Sequence, residues 1–303
     1  MRVLVTGSKG FVGQWLIRHL EANGDEPVGL DAEVDITDAP AIAKAITGAA
    51  PEAICHLAAQ ASVGVSWADP AATYMVNTVG AVNVLAAGHA CDTRPRVLLV
   101  SSSEVYGRVR PGDLPTREEA PFAPVSPYAA SKAAAELAGL QAWLGQGLEV
   151  VRARPFNHTG PGQRTDFVVP ALAMQVAEAV ASGADALYTG NLEPKRDITD
   201  VRDVVRAYRL LLERGEPGEA YNVCSGVSVT IRDVAERLLR IAGLDLPVVV
   251  DEDRVRPVEI PELRGDPSKL REATGWRPEI GLDQTLADVV GYWKRPAASA
   301  AGR

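Results

Sequence analysis

The sequence predicts an α/β protein, with a doubly wound parallel sheet and a second, smaller α/β domain. Two observations support this fold class. Short apolar, β-rich runs alternate with longer helical patterns through the first half of the chain, as in parallel sheets covered by helices. The first run, Arg2–Thr6, leads into a glycine-rich segment, Gly7–Gly13, and then into a helical pattern through Leu20. This order of strand, glycine turn and helix begins many nucleotide-binding sheets.

Size and composition fit a globular protein. The chain has 303 residues, of which 47% are hydrophobic and 23% charged, enough for one large domain or two modest ones. A net charge of −8 without a long basic run argues against a nucleic-acid partner. The cysteines (Cys55, Cys91 and Cys224) and the four histidines lack metal-ligand spacing, so neither a metal nor a disulfide framework is expected. Without an apolar run of membrane-spanning length or a leader pattern, a cytoplasmic protein is expected.

The glycines of the first turn are spaced Gly-x-x-Gly-x-x-Gly, at Gly7, Gly10 and Gly13. Glycines there permit a tight turn and let backbone amides at a helix N-terminus approach a pyrophosphate. A glycine pattern alone is weak evidence, because the same turn can merely close a strand–helix unit. Directly after the first strand, it predicts a Rossmann-type dinucleotide site.

The second strand is predicted to end at Asp31, about 20 residues past the glycine turn, where an acid accepts hydrogen bonds from the adenosine ribose. Its carboxylate would repel a 2′-phosphate, so NADH is slightly favoured over NADPH. Lys9 argues the other way if it is more than a solvated loop lysine, and the short link from the strand to Asp35 keeps the choice open. Asp35–Asp38 is predicted to end a short strand and cap a helix over 38–47. Asp35 either contacts the adenine amine of the cofactor or stabilises the turn through local hydrogen bonds.

Two further core strands are predicted, over 53–59 and 96–100. A loop over 60–67 facing the cleft and a helix over 70–90 connect them. His56 is favoured as a satisfied core histidine over a catalytic one. The segment Ser101–Gly107 follows the carboxyl end of the second of these strands, where open α/β sheets bind ligands. A serine hydroxyl there can hydrogen-bond a ketone oxygen and Glu104 can act as a base, although serines are also common turn formers.

Tyr128 and Lys132 lie four residues apart in an alanine-rich run that predicts a helix, with Ser126 as its cap and Pro127 at its first position. This spacing puts both side chains on one face. An adjacent ammonium is expected to lower the pKa of the phenol, which makes the pair a candidate acid/base device for a hydroxyl or ketone. Alternatively, the tyrosine and the lysine fall at this spacing by chance and have no catalytic role. The small-residue surface of this helix, over 127–141, suggests a homodimer contact.

Taken together, these motifs resemble the extended short-chain dehydrogenase/reductase family, which contains sugar-nucleotide epimerases, dehydratases and reductases. The resemblance covers nearly the whole chain. It implies that Ser102 positions a carbonyl, Tyr128 transfers the proton, and Lys132 tunes Tyr128 and binds the nicotinamide ribose. The implied cofactor-binding residues are Gly7, Gly10, Phe11, Val12, Gly13, Asp31, Asp35, Ile36, Leu57, Ala58, Ala59, Tyr128, Lys132 and Pro155.

The second half is similar to the GDP-4-dehydro-6-deoxy-D-mannose reductases, close relatives of the GDP-mannose 4,6-dehydratases. By that resemblance, the residues that contact the nucleotide-sugar are Ser102, Ser103, Tyr128, Asn157, Arg196, Arg256 and Glu259. Guanidinium forks suit a diphosphate, and a carboxylate suits a ribose diol. Without the resemblance, each arginine would instead be interpreted as part of a surface ion pair.

The resemblance implies NAD(P)H-dependent reduction of the C4 ketone of GDP-4-dehydro-6-deoxy-D-mannose to GDP-D-rhamnose. A 4,6-dehydratase is the nearest rival function, with Glu104 removing the C5 proton. The same residues would also suit another epimerase, dehydratase or 4-ketoreductase, including a dTDP-linked one. A non-catalytic nucleotide sensor would keep the fold, but intact Ser102, Tyr128 and Lys132 argue against it, because sensing does not require them.

Two domains are expected, with the site in the cleft between them. Residues 1–155 together with about 197–225 form the predicted dinucleotide-binding domain. Residues of about 156–196 and 226–295 form the predicted substrate domain. The stretch 296–303 has no apolar periodicity and is predicted to be a disordered tail.

Overall fold

The computed structural model describes residues 1–254 and 260–295. In these ranges, the main sheet contains β1 (Arg2–Thr6), β2 (Glu26–Leu30), β3 (Ala53–His56), β4 (Arg96–Val100), β5 (Val150–Pro155) and β9 (Ala220–Val223). Their order is β2-β1-β3-β4-β5-β9, and every neighbouring pair is parallel. The predicted fold class is confirmed. The order reverses between β1 and β3, which places a ligand crevice at their carboxyl ends.

Helices cover both faces of this sheet. On one face, α1 (Phe11–Ala22) packs against α8 (Val201–Arg214), and both bury apolar side chains against the strands. On the other face, α2 (Ala39–Ala49), α5 (Gly80–Ala90) and α6 (Pro127–Gln146) form a second apolar layer. The alanine-rich sequence of α6 allows close packing on α5, and this fixes the position of the Tyr128 helix over the sheet.

The segment between β3 and β4 differs from its prediction. The predicted cleft loop over 60–67 contains α3 (Val63–Ala68), whose first turn is capped by the Ser62 hydroxyl. The predicted helix over 70–90 is divided into α4 (Pro70–Tyr74), a π-helical turn (Met75–Val79) and α5. A π-helical turn inside a helix commonly marks a functional site.

The predicted short strand ending at Asp35 is also absent from the described residues, where 31–38 form turns. The Asp35 carboxylate accepts hydrogen bonds from the Thr37 amide and hydroxyl, both at 2.8 Å. Asp38 does cap α2, accepting from the Ala41 amide at 3.1 Å. Local side-chain bonding to the backbone therefore replaces the strand ladder here.

A second sheet forms around β8 (Lys195–Asp200), which pairs with β6 (Asn157–Thr159), β10 (Ser228–Thr230) and β12 (Glu262–Leu263). A two-stranded sheet joins β7 (Leu187–Thr189) to β11 (Val248–Val250). Helices α7 (Val168–Ser182), α9 (Ile231–Ala242) and α11 (Leu282–Trp293) enclose a separate apolar core. The short helix α10 (Ser268–Thr274) packs near α8 and β9.

The chain crosses between these two parts more than once. It leaves the main sheet after β5, and it returns with α8 and β9, which pairs with β5. Residues 197–200 belong to β8 and therefore to the second sheet, so the return begins at α8. The division into two functional domains stays a prediction, and the predicted tail over 296–303 lies outside the described residues.

Across the described part of the chain, no helix is both long and apolar enough to span a bilayer. The same residues contain no cluster of three or more His, Cys, Asp or Glu suited to holding a metal ion. All three cysteines are buried and free.

Candidate active site

The glycine turn lies at the carboxyl end of β1 and is packed tightly against the end of β3. Gly7 has a φ of +70°, and a Cβ atom there would lie 2.9 Å from the Ala58 amide nitrogen. A Cβ at Gly13 would overlap the carbonyl oxygens of Gly7 and Ser8. Among the described side chains, none caps the start of α1 at Gly10. The backbone amides in the first turn of α1 are therefore available to an anion. This cradle fits a dinucleotide pyrophosphate.

Asp31 lies just past the end of β2, beside the glycine turn. Its carboxylate accepts from the Lys9 amide at 2.6 Å and from the Ala32 amide at 2.9 Å. The Lys9 ammonium forms an exposed ion pair with Glu33 at 2.9 Å, and this hydrogen bond raises the pKa of Lys9. The Asp31 carboxylate thus lies where the adenosine ribose is predicted to bind, while Glu33 partly neutralises the charge of the nearby Lys9.

The turn that follows is held by α5. Ile36 is buried, and Asn83 donates to the carbonyls of Ile36 and Thr37 at 3.0 and 3.1 Å. Gly80 leaves room for the Ile36 side chain, since a Cβ there would lie 2.6 Å from its Cδ1. Asp35 faces its own turn through the bonds to Thr37, and these bonds lower the pKa of Asp35. The sequence analysis did not identify Gly80 or Asn83, because their role depends on helix packing.

Leu57, Ala58 and Ala59 continue from β3 toward the cleft. The Ala58 amide donates to the Thr6 hydroxyl at 3.2 Å, and that hydroxyl lies 2.8 Å from Nδ1 of His56. Burial, followed by the charge of Lys132, lowers the pKa of His56 to about 3. The imidazole is therefore neutral, which agrees with the prediction that His56 is a core histidine.

The Ser102 turn follows β4. Ser102 has an extended backbone, and its hydroxyl accepts from the Glu104 amide at 3.2 Å at the start of a 3₁₀ helix, Ser103–Tyr106. Gly107 ends this turn with a φ of +61°, where a side chain would overlap the Ala123 carbonyl. Ser102 and Ser103 are buried, and Glu104 is partly buried. We call residues 102–107 the serine turn.

Helix α6 brings the two other predicted catalytic side chains to the same place. Ser126 caps it, accepting from the Ala129 amide at 3.1 Å. The Ser102 hydroxyl lies close enough to the phenol of Tyr128 to lower its pKa. The buried Lys132 ammonium donates to the Val100 carbonyl at the end of β4, at 2.7 Å. The structure therefore brings Ser102, Tyr128 and Lys132 together at the carboxyl edge of the sheet.

The electrostatics of this group differ from the expectation that Lys132 lowers the pKa of Tyr128. Burial, followed by the negative charge of Glu104, raises the pKa of the phenol, and the nearby Ser102 hydroxyl opposes this only in part. Burial also lowers the pKa of Lys132, to about 8. Tyr128 is thus protonated near neutral pH, the state that a proton donor requires.

Asn77, in the π-helical turn, was not identified from the sequence. Its side chain accepts from the Gln60 amide at 2.7 Å and donates to the Gln60 carbonyl at 3.1 Å. It also donates to the Ser131 hydroxyl at 2.9 Å, and Ser131 donates to the Tyr128 carbonyl at 2.8 Å. Asn77 thereby connects the loop after β3 to the Tyr128 helix. The available sequence signal is a polar side chain in the mostly apolar run over 75–85.

The structure describes only some of the residues predicted to contact the nucleotide-sugar. Pro155 ends β5, and Asn157 is exposed on β6 just beyond it. Arg196 lies on β8, the strand that pairs with β6, and donates to the Lys195 and Ile260 carbonyls, both at 2.9 Å. Arg256 and Glu259 lie outside the described residues.

Comparisons with known proteins agree with this geometry. A family model described as GDP-mannose 4,6 dehydratase matches residues 32–289. A GDP-6-deoxy-D-mannose reductase from Pseudomonas aeruginosa is 39% identical over 97% of this chain and 97% of its own. The structure of RMD from P. aeruginosa complexed with NADPH has a TM-score of 0.90 at 39% identity, covering 97% of this chain and 98% of that one. Thermus thermophilus UDP-glucose 4-epimerase complexed with NAD has a TM-score of 0.87 at 32% identity, covering 98% and 100%.

The glycine cradle and the group of Ser102, Tyr128 and Lys132 define an NAD(P)-dependent enzyme of the extended short-chain dehydrogenase/reductase type. Its matched relatives are sugar-nucleotide reductases, dehydratases and epimerases. Within that class, the chain belongs to the GDP-mannose 4,6-dehydratase family.

Proposed function

We propose that the chain reduces the C4 ketone of GDP-4-dehydro-6-deoxy-D-mannose to the alcohol, giving GDP-D-rhamnose. The observation that carries the reaction type is the proximity of the Ser102 hydroxyl to a protonated Tyr128, with the buried Lys132 one turn later on the same helix face. The P. aeruginosa reductase supports the substrate, because it matches nearly the full length of both chains.

The proposed roles follow from the groups present. When bound, NAD(P)H supplies a hydride for C4. Ser102 donates a hydrogen bond to the ketone oxygen and fixes its direction. Tyr128 donates its proton to that oxygen as the carbonyl becomes an alcohol, and the resulting phenolate regains a proton from solvent. Lys132 stabilises the phenolate, and its ammonium would hold the nicotinamide ribose when the cofactor is bound. The catalysis consists mainly of orientation and acid transfer.

The sugar nucleotide is proposed to lie across the carboxyl edge, between the main sheet and the β6–β8 pair. The exposed Asn157 lies two residues past Pro155, the last residue of β5, and is near enough in the chain to meet a ligand at that edge. Arg196 offers a guanidinium for the diphosphate from the paired strand. Arg256 and Glu259 complete the set that the resemblance implies, as a second cation and a partner for the ribose diol.

For the cofactor, we propose a slight preference for NADH. Asp31 would repel a 2′-phosphate, and the pair with Glu33 weakens the attraction of Lys9 for it. Because the P. aeruginosa RMD structure contains NADPH, the two cofactors must be compared directly in the same assay.

A 4,6-dehydratase is the second candidate, favoured by the position of Glu104. This carboxylate lies two residues past Ser102, and its charge acts on Tyr128. This position would suit a base that removes a proton from the carbon next to a C4 ketone. The family model carries the dehydratase description. A dehydratase would convert GDP-mannose with catalytic NAD(P)⁺, without consuming a reductant.

Homodimer formation is proposed through one face of α5, α6 and the π-helical turn. Leu137 and Leu144 lie seven residues apart on α6, so they share a helix face, and both are exposed. Met75, Val79 and Val82 form a similar exposed row on the neighbouring helical segment. Two adjacent apolar rows of this kind suit a second copy of the same face. The cytoplasmic location stays a prediction.

The deciding experiment measures nicotinamide oxidation with GDP-4-dehydro-6-deoxy-D-mannose, with NADH and NADPH in parallel. GDP-mannose with NAD(P)⁺ is assayed alongside, and the products are identified. Stoichiometric oxidation that yields GDP-D-rhamnose supports the reductase. Conversion of GDP-mannose to its 4-keto-6-deoxy product without such oxidation would favour the dehydratase. Inactivity in both assays would contradict the GDP-linked substrate.

A further inference from the structure

A buried charged cluster lies beneath α6, where this helix crosses β5. Glu136 is one turn after Lys132 and has a fully buried side chain. Arg152 and Arg154 occupy alternate positions on β5, so both side chains point to the same face of the sheet. One carboxylate thus meets two guanidinium groups beneath the Tyr128 helix.

Arg154 makes the more extensive contacts of the two arginines. Its Nε lies 2.9 and 3.1 Å from the Glu136 oxygens, and its Nη2 donates to Oε1 at 2.6 Å. Its Nη1 donates to the Tyr106 hydroxyl and to the Glu118 carbonyl, both at 2.7 Å. The guanidinium also lies against the rings of Tyr106 and Phe122, 5.0 and 4.9 Å from their centroids. Arg152 instead contacts Glu136 at 3.3 Å and the Gly218 carbonyl at 2.6 Å.

Tyr106 connects this cluster to the serine turn. It ends the 3₁₀ helix that begins directly after Ser102. Its buried hydroxyl accepts from Arg154 and donates to the Asn222 side chain on β9 at 2.7 Å. Asn222 in turn donates to the Thr116 carbonyl at 2.9 Å. The position of the serine turn is therefore fixed from below by directed hydrogen bonds.

The cluster joins the two segments that carry the proposed catalytic groups. Ser102 comes from the serine turn, and Tyr128 comes from α6. Both must meet one ketone oxygen, and a displacement of about 1 Å can reduce a rate by about 100-fold. Through one planar side chain, Arg154 holds Tyr106 of the serine turn and Glu136 of α6. A buried ion pair adds little net stability compared with packed apolar side chains, so a positional role explains the cluster better than stability does.

We propose that Arg154 and Tyr106 are positioning residues for catalysis: they fix the serine turn relative to α6, so that Ser102 and Tyr128 address the same oxygen. This inference rests on the proposed ketone reduction, in which that shared oxygen is the C4 carbonyl oxygen. Neither residue contacts the reacting atoms, and both act through the two segments that they connect.

The test is a double-mutant cycle between Tyr106→Phe and Ser102→Ala, measured in kcat for the reduction. Tyr106→Phe keeps the ring and removes the hydroxyl. Alone, it is expected to lower kcat by about 10- to 100-fold and to leave the KM for the nicotinamide cofactor within about twofold. In the Ser102→Ala background, where no serine hydroxyl is left to position, it is expected to lower kcat by less than about threefold.

The arginine pair supplies a matched control. Arg154→Lys keeps the charge but cannot hold Glu136 and Tyr106 with one planar fork. It is therefore expected to reproduce the kcat loss of Tyr106→Phe. Arg152→Lys perturbs the same carboxylate without touching the serine turn, and it is expected to keep kcat within about threefold. If Arg154→Lys does not fold, the Tyr106 cycle still decides, and thermal unfolding of each variant shows whether the fold is retained.

Losses that multiply in the double variant would overturn the inference, because they would show that Tyr106 does not act through Ser102. Equal kcat losses in Arg152→Lys and Arg154→Lys would overturn it as well, since only Arg154 joins the two segments. An inactive wild type would instead contradict the proposed function. If the wild type is active but the kcat losses of the two single variants multiply in the double variant, only this inference is contradicted.

Discussion

At the residue scale, Tyr128 is the proposed proton donor, and its protonation state suits reduction. Burial and the charge of Glu104 raise the pKa of the phenol, so the proton is present at neutral pH. Tyr128→Phe should therefore abolish turnover, with a loss of at least about 100-fold, the scale of general-acid catalysis. Cofactor affinity, measured by titration of nicotinamide fluorescence, should stay within about twofold. Substantial remaining turnover would contradict the assigned role.

We expect Lys132 to set the pH dependence of the reduction. Burial lowers its pKa to about 8, so the ammonium is charged below pH 8 and the neutral amine dominates above it. The value of kcat/KM for the cofactor reports groups of the free enzyme. It should fall as pH rises through about 8. Lys132→Met should be much less active and should lose this limb of the profile. A wild-type profile that stays flat to well above pH 8 would contradict the role of the charge.

The pair of Lys9 and Glu33 offers a test of cofactor choice. Glu33→Gln frees the Lys9 ammonium for a 2′-phosphate, and an exposed charge pair of this type contributes only modestly in water. The kcat/KM with NADPH should therefore rise by about two- to fivefold, while the value with NADH stays nearly constant. The double variant with Lys9→Gln should lose the gain. A gain that persists in the double variant would show that Lys9 is not responsible.

At the scale of elements, the π-helical turn connects the cofactor edge to the Tyr128 helix through Asn77. Asn77→Ala would remove this link and leave the partly buried amide and carbonyl of Gln60 without their partner, at a cost of about 1–3 kcal/mol. We expect a lower midpoint of thermal unfolding together with a reduced kcat. Ser131→Ala, which leaves both Gln60 contacts in place, should have the smaller effect on stability. The opposite order would show that the contacts to Gln60 contribute little.

The same segment shows which elements a sequence can predict. Strands such as Arg2–Thr6 and Arg96–Val100 follow from their apolar runs, and α6 follows from its alanines and the Ser126 cap. The π-helical turn has the same apolar pattern as the helices on either side, so periodicity predicts one helix over 70–90. Its irregular backbone accompanies tertiary bonds made by Asn77, which local propensity does not contain. The proximity of Ser102, Tyr128 and Lys132 could be predicted, because each lies in a recognisable local motif. The contacts of Arg154 could not, because they depend on tertiary packing.

At the scale of the whole molecule, the active site depends on a chain that leaves the main sheet after β5 and returns with β9. Asn222 on β9 contacts the Tyr106 hydroxyl and the Thr116 carbonyl. Asp197 on β8 accepts from the Ser225 and Gly226 amides just after β9. Hydrogen bonds therefore join the second sheet, the last strand of the main sheet and the serine turn.

The proposed dimer face is the last feature at this scale. Leu137 is 53% exposed and Leu144 is 73% exposed on α6, so a charge at Leu137 should not disturb the core of one subunit. Leu137→Glu would place two carboxylates in a face that pairs with itself, and sedimentation velocity should show a monomer in place of a dimer. Val180→Glu, at a 46% exposed position on α7, is the control and should leave the dimer intact. If wild type and Leu137→Glu sediment alike, this face does not mediate dimer formation. If Leu137→Glu is monomeric while wild type and Val180→Glu are dimeric, this face mediates the dimer. If the monomeric variant also oxidises NADH with the ketosugar, each subunit contains a complete active site.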